Sequence, residues 1–382
     1  MSLQELSSQE VSLHQLPIHG SASRGGNPMA HEGAANLAEH RLRRSETAQL
    51  DLSSGLNPYG PPESVLDALR SLSAHDVALP PDHAAERLEV AYAGVLGVDP
   101  GELIAGRGPA EFLWDLGRLV PHHSVAVPLP AWGEVLDVFP GRGFSRYPGE
   151  QMPSVDQVDE AMDAAELVVI SNPQLPSGVT LARAALVDVA QRHPASTLVV
   201  DESAIDFLPD PRSATLVGSD TDNVIVLRSS AEFYGTSAAR AGVAWSGDRR
   251  LLHELFGHRE AMPLSGLDVV VAEAALASTG WADVARARLA ADGTWLNAVL
   301  LPLGGRLVDG GRLPYRCLFS DTAAEWATTL AAGGVRVRVL GSRHGVHPGA
   351  LGIFAPRDAE RPVLATALSA VHARPPAFSE AG

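Results

Sequence analysis

The 382-residue chain contains no lysine, and all 29 of its Lys and Arg side chains are arginine. No ε-amino group is available to form an imine with a carbonyl. Arginine is no substitute, because its guanidinium stays protonated and delocalised. Cysteine is nearly absent as well: Cys317 stands alone, which excludes an internal disulfide and suits a reducing compartment. No apolar run reaches the length of a membrane span, and the first residues lack a basic stretch followed by an apolar core, so the expected location is the cytoplasm. Positive charge is scarce overall. A formal net charge of −16 argues against nucleic acid or an anionic membrane as partner, yet it leaves room for a local arginine site for a small phosphate. Abundant Ala, Arg, Gly and Pro without Lys is also what a GC-rich genome leaves. Such drift readily empties a surface of lysine.

What is present suffices for a large core, since 45% of the residues are hydrophobic and 19% charged. Residues 1–44 mix Ser, Gly, His and Gln with few apolar runs and predict a flexible or partner-docked arm. The tail from Arg374 looks similar. Short apolar runs at Ser124–Pro130, Leu167–Ser171, Leu198–Val200 and Val224–Leu227 predict strands, the last of them parallel and covered on both faces. The expected division is a large α/β domain over residues 45–262 and a small α+β domain over 263–382 that includes a long interdomain helix.

Polar residues follow these strands at once. The stretch VIVLRSSAEFYGTSAARAG offers the hydroxyls of Ser229 and Ser230, the backbone freedom of Gly235 and the fixed charge of Arg240, together suited to a phosphate at a strand's carboxyl end. Asp201, at the end of an apolar strand, is costly to bury unless it meets a positive charge or several donors. Asn172 opens the turn SNPQLPSG, whose Pro173, Pro176 and Gly178 serve geometry. A glycine-flanked helix start lies at Gly106–Glu111, Trp132 follows a strand, and Tyr59 sits in the turn-rich segment DLSSGLNPYGPP. The pairs His253 and His258, and His344 and His347, lack the spacing or the company of a metal site.

In order and spacing these pieces resemble the fold-type I aminotransferases and decarboxylases that use pyridoxal phosphate, in the branch of histidinol-phosphate aminotransferase and threonine-phosphate decarboxylase. The match to that branch's R-S-x-x-K-x-x-x-x-x-G-x-R-x-G loop runs through Arg228, Ser229, Arg240 and Gly242. The resemblance implies an aspartate-aminotransferase-like large domain with a mixed, mostly parallel sheet, a small α+β C-terminal domain and a homodimer. It implies that Gly108, Pro109, Ala110, Ser229 and Arg240 hold the cofactor phosphate, that Trp132 stacks on the ring, and that Asn172 donates to the ring oxygen. Asp201 would pair with the ring nitrogen. Tyr59 either reaches the neighbouring subunit's cofactor phosphate or packs over its own proline turn. Three positions depart from the pattern. The lysine position holds Glu232, the ring-oxygen tyrosine is Ala204, and the arginine that grips a substrate carboxylate is Gly352, with Arg338, Arg343 and Arg357 as nearby replacements.

Three functions fit. The preferred one is a noncanonical enzyme acting on a small, amino-acid-derived or phosphorylated metabolite. In it Glu232 is acid/base in place of the lysine, and pyridoxal or pyridoxamine phosphate is bound noncovalently or not used. The second is a catalytically silent homologue that binds ligand or a dimer partner. The third, an ordinary aminotransferase or decarboxylase, conflicts with the missing amine. An ionisable residue at position 232 favours the first, because it can still move protons.

Overall fold

The computed structural model describes residues 50–372 apart from 79, 145–153, 175–176, 258–261, 309 and 312. The expected arm over 1–44, the tail from Arg374, Pro176 and His258 lie outside the described residues. Thirteen strands are described. In chain order they are β1 (Leu50–Asp51), β2 (Leu103–Gly106), β3 (Val125–Pro128), β4 (Gly143–Phe144), β5 (Leu167–Ser171), β6 (Thr197–Asp201) and β7 (Val224–Arg228). They continue with β8 (Gly242–Trp245), β9 (Arg306–Val308), β10 (Tyr315–Phe319), β11 (Val335–Arg336), β12 (Arg338–Leu340) and β13 (Ala350–Phe354).

Seven of them form one sheet in the order β2-β8-β7-β6-β5-β3-β4. Apart from the two-residue edge strand β4, its strands are four- or five-residue apolar runs closed by turn residues, and alternate side chains divide between two cores. Val168, Val200 and Val226 join Leu88 and Leu186 on one face, while Val169, Val199 and Ile225 join Phe112 and Phe256 on the other. Each fully buried Val, Leu or Ile contributes about 1.5–3 kcal/mol, so the paired layers fix the register of the sheet. Strands β3 to β7 pair parallel, and β8 runs antiparallel to both β7 and β2.

The remaining strands form a four-stranded antiparallel sheet, β12-β13-β10-β9, and a two-stranded parallel pair of β1 with β11. Helices Ala323–Ala332 and Arg361–His372 share a core with Leu351 and Ile353 of β13. The 22-residue helix Thr279–Leu300 ties the two parts together. Its Leu289 packs in a cluster with Phe233 and Tyr234, and its Leu296 and Leu300 pack in that of β13. The expected class is therefore the observed one: a mixed, mostly parallel α/β sheet with a smaller antiparallel-sheet part. Among the described residues no helix is long and apolar enough to cross a membrane.

Strand direction positions the chemistry. The carboxyl ends of β2, β3, β5, β6 and β7 and the amino end of the reversed β8 all open on one edge of the sheet. Residues just past these ends are thereby gathered there, as in other open α/β sheets.

Candidate active site

Glu232 lies two residues past Ser230, in the short helix Ala231–Tyr234 that follows β7. Its backbone is held from several sides. The Ser230 N–H donates to the Tyr92 hydroxyl at 3.0 Å, the Ala231 N–H donates to Ser229 Oγ at 3.2 Å, and the Glu232 carbonyl accepts from the Asn57 N–H at 3.0 Å. Gly235 ends the turn at a φ of +66°, where a Cβ is disfavoured. Within this fixed frame the Glu232 Oε2 is out of solvent and has no hydrogen-bond partner. Burial raises the carboxyl pKa against the opposing pull of its own backbone N–H, the Ser229 hydroxyl and Arg240. Leaving such an oxygen unpaired costs about 1–3 kcal/mol.

Asp201 ends β6 and is also buried. The N–H of Ser203 donates to its Oδ1 at 2.9 Å and the Ser203 hydroxyl donates to the same atom, but no described cation pairs with it. Burial therefore dominates and pushes its pKa up to about 6, with the Glu232 carboxylate adding to the rise. The adjacent Glu202 points elsewhere and is fully paired. It accepts from the guanidinium of Arg228 at 3.1 Å, the Thr215 hydroxyl and the Leu216 N–H. Arg228 also reaches Asp206 at 2.9 Å, so this arginine of the loop motif serves as a buried tie between β6 and β7.

Trp132 precedes helix Gly133–Val138 and is half-buried against the core that holds Phe112 and Phe256. Asn172 is fully buried, and both its amide atoms face Leu181: Nδ2 donates to the carbonyl at 3.1 Å, and Oδ1 accepts from the N–H at 2.9 Å. Gly108 begins helix Pro109–Leu119 at a φ of +92°, with Pro109 and Ala110 as its first residues. Gly242 lies against this start so closely that a Cβ on it would sit 2.8 Å from Gly108 Cα. Arg240 is exposed; its N–H donates to Asp268, and its guanidinium bonds to no described residue. Tyr59 is held within its own chain, donating to Asp292 at 2.8 Å beneath the guanidinium of Arg288.

A cleft of about 760 Å³, its mouth included, lies between this edge and the small sheet. Of the expected site residues, Trp132 and Glu232 stand in its wall. Asp201, Asn172, Ser229, Arg240 and Gly108 to Ala110 do not. Ala204 and Gly352 line it where side chains were expected.

Two wall residues, His344 and Tyr315, and one further acid, Glu134, were not expected at the site. Glu134 is open to solvent yet surrounded by protein; desolvation raises its pKa first, Asp201 adds, and Arg240 opposes. His344 joins the wall from a glycine-bounded turn, and Tyr315 from the first position of β10. The Tyr315 hydroxyl is buried without a partner, and burial holds its pKa far above the usual phenol range. Of the three arginines near Gly352, Arg338 lines the cleft, and Arg357 is paired with Glu360. The Arg343 side chain lies outside the described ones. No group of three or more His, Cys, Asp or Glu among the described residues is arranged to hold a metal.

The chain is similar to histidinol-phosphate aminotransferase of Ruegeria pomeroyi, 29% identical over 273 residues that cover 67% of this chain and 72% of the relative. Its fold matches the crystal structure of histidinol-phosphate aminotransferase from Sinorhizobium meliloti in complex with pyridoxal-5'-phosphate, with a TM-score of 0.75 at 22% identity over 92% of this chain and 99% of that one. L-threonine-O-3-phosphate decarboxylase from Porphyromonas gingivalis matches with a TM-score of 0.71 at 16% identity, over 85% and 100% of the two chains. Residues 47–294, well over half of the chain, match the family of class I and II aminotransferases, and the chain belongs to that family.

Proposed function

We propose that this aminotransferase-family protein is an enzyme acting on a small amino-acid-derived or phosphorylated metabolite, with Glu232 moving the proton that a lysine would otherwise handle. The observation that carries this reading is the Glu232 Oε2, buried in the cleft wall without a partner in a chain that has no lysine. A carboxyl whose pKa is raised by burial keeps its proton nearer neutrality and is suited to give and retake it.

Pyridoxal or pyridoxamine phosphate would be held without a covalent link by residues of which Trp132 alone lines the cleft. Arg240 is a cation with no described partner, the helix start at Gly108 to Ala110 and Ser229 are suited to a phosphate, and Asp201 is a buried acid awaiting a cation. Trp132 offers an indole face in the cleft wall, while the Asn172 amide is engaged with the Leu181 backbone. When bound, such a group supplies an electron-withdrawing ring. The chain's part is to bind it, to hold a negative charge at Asp201 and to move a proton at Glu232 Oε2. A homodimer in the cytoplasm, with Tyr59 offered across the interface, belongs to the same proposal and requires Tyr59 to leave Asp292. Nucleic acid is no partner for a chain of net charge −16.

The test is a spectral titration with pyridoxal and pyridoxamine phosphates, followed by turnover of bound pyridoxamine phosphate with a panel of 2-oxo acids and phosphorylated ketones. Glu232→Gln is expected to keep cofactor affinity and lose roughly 10²–10⁴ in rate. Full activity in that variant removes Glu232 from the mechanism. A second reading, a silent ligand-binding homologue, is favoured by Ala204 and Gly352, whose lack of side chains leaves the wall bare. It predicts binding without turnover for the unaltered protein.

A further inference from the structure

Asp201 does not stand in the cleft wall, but the residue that bonds to it does. Ser203 and Ala204 line the cleft two and three positions past the end of β6. Both donors of Ser203 go to one atom: its N–H donates to Asp201 Oδ1 at 2.9 Å, and its hydroxyl donates to the same oxygen. A serine oxygen keeps its acceptor lone pairs after giving its proton to a partner. Ser203 therefore offers the cleft an acceptor, and the carboxylate behind it strengthens that acceptor.

The turn leaves Ser203 little freedom. Before it, the Glu202 N–H donates to the Leu227 carbonyl at 2.9 Å and the Glu202 carboxylate is held by Arg228; after it, the Ile205 N–H donates back to the Glu202 carbonyl at 3.0 Å. Ala204 adds no polar group, and the same wall holds Phe207 and Phe354. A donor that enters among such side chains gives up its water and gains by meeting an acceptor. Asp201 exchanges its proton near pH 6, close to where a base both takes and returns protons at neutrality. The charged groups around it are Glu232, Glu134 of helix Gly133–Val138 and Arg240, which acts on both glutamates.

We propose that Ser203 is the proton-relay residue of the cleft: it accepts from an N–H or O–H of the substrate and passes a proton on to Asp201. The substrate's X–H bond breaks and its proton joins Ser203 Oγ, while the Ser203 hydroxyl proton moves to Asp201 Oδ1. The electron pair stays on the substrate atom, Asp201 becomes neutral, and the reverse movement resets the site without oxidation or reduction. The substrate then bears a hydrogen-bond donor next to an apolar body. This deepens the function proposed above and rests on its reading of the cleft, with Asp201 as base and Glu232 as acid. The Glu232 charge acts on Asp201, so a proton leaving Glu232 favours one arriving at Asp201.

Two probes separate the contact from the chemistry. Binding of phenol, a donor, and of anisole, its methyl ether, is measured by ligand-detected nuclear magnetic resonance at pH 5 and pH 7.5. The proteins are the unaltered chain, Ser203→Ala, Ser203→Thr, Asp201→Asn and Glu232→Gln, with near-ultraviolet circular dichroism as the check of fold. At pH 7.5 the unaltered protein is expected to bind phenol roughly three- to tenfold more tightly than anisole, and at pH 5, with Asp201 protonated, to lose a few-fold of that preference. Ser203→Thr and Glu232→Gln are expected to keep both effects, Ser203→Ala to abolish both, and Asp201→Asn to abolish the pH dependence alone. Failure to bind phenol, equal binding of phenol and anisole, a preference that survives Ser203→Ala or a pH dependence that survives Asp201→Asn overturns the proposal. In the turnover assay above, Ser203→Ala is expected to cost roughly tenfold or more in kcat and to flatten the limb of the pH profile near 6, with Ser203→Thr restoring both. An unchanged rate in Ser203→Ala overturns the relay. Absence of turnover in the unaltered protein with the phenol pattern intact counts against the enzyme reading and supports the Ser203 contact.

Discussion

Asp201 and Glu202 are consecutive acids on one strand, and their side chains meet opposite surroundings. Glu202 is neutralised by Arg228, whereas Asp201 has only the donors of Ser203. The folded chain therefore holds a proton on Asp201 up to about pH 6, against 3.8 for the ordinary side chain. Because the folded value is raised, the stabilisation is fully present below the unfolded pKa and is lost as pH rises through about 6. The total is on the order of 3 kcal/mol. Asp201→Asn, which still accepts from Ser203, is expected to remove this loss. Urea unfolding of both proteins at pH 5 and pH 7.5 checks it: the variant gains relative to the unaltered chain at the higher pH. A difference that is flat across the two pH values defeats the assignment. Asp201 was legible because an acid at the end of an apolar run is chemically conspicuous, and Glu232 because it stands at the lysine position of the loop motif. Tyr315 was not, because a tyrosine at the head of a strand reads as packing, and its orphaned hydroxyl exists only once β10 faces the cleft. Glu134 likewise becomes notable only when folding brings Asp201 and Arg240 beside it.

Elements meet at two glycines that look alike in sequence and differ in what surrounds them. At Gly242 a Cβ would stand 2.4 Å from the Arg228 carbonyl oxygen and 2.8 Å from Gly108 Cα, both backbone atoms that cannot turn aside. Gly242→Ala is expected to destabilise the protein by roughly 1–3 kcal/mol and to displace the helix start at Gly108, weakening phosphate-bearing ligands most. At Gly352 the closest atom is the Arg338 Cβ at 3.5 Å, an ordinary contact. Gly352→Leu is therefore expected to fold with stability changed by less than about 1 kcal/mol and to narrow the cleft beside Arg338. Thermal midpoints and calorimetry distinguish the outcomes; equal destabilisation at both sites contradicts the geometry. The strands β5, β6 and β7 could be read from their apolar runs to within a residue or so. The neighbour relation of β12 and β13 could not, because antiparallel register depends on which strand follows a long loop back to the sheet. That relation is what distinguishes Arg338 from Arg357.

On the scale of the whole molecule the missing lysine becomes a single decisive property. A family whose structural relatives include one solved in complex with pyridoxal-5'-phosphate is represented here by a chain without lysine. In the function proposed above, a phosphate-bearing cofactor is retained by hydrogen bonds and charges at Gly108 to Ala110, Ser229 and Arg240, together with stacking on Trp132. Such contacts are reversible. Gel filtration without added cofactor is expected to strip pyridoxal phosphate fully, and reduction of the loaded protein with borohydride is expected to leave the mass of residues 47–372 unchanged. Arg240→Gln should lower affinity by roughly tenfold, one charge-assisted phosphate contact, without altering that mass result. Peptide mapping settles the matter, because a stoichiometric reduced adduct within those residues requires an amine that the sequence does not contain. If cofactor instead survives gel filtration, the noncovalent contacts are tighter than one arginine and one helix start supply, and a neighbouring subunit must add to them. Sedimentation of stripped and loaded protein then tests whether the cofactor tightens a dimer.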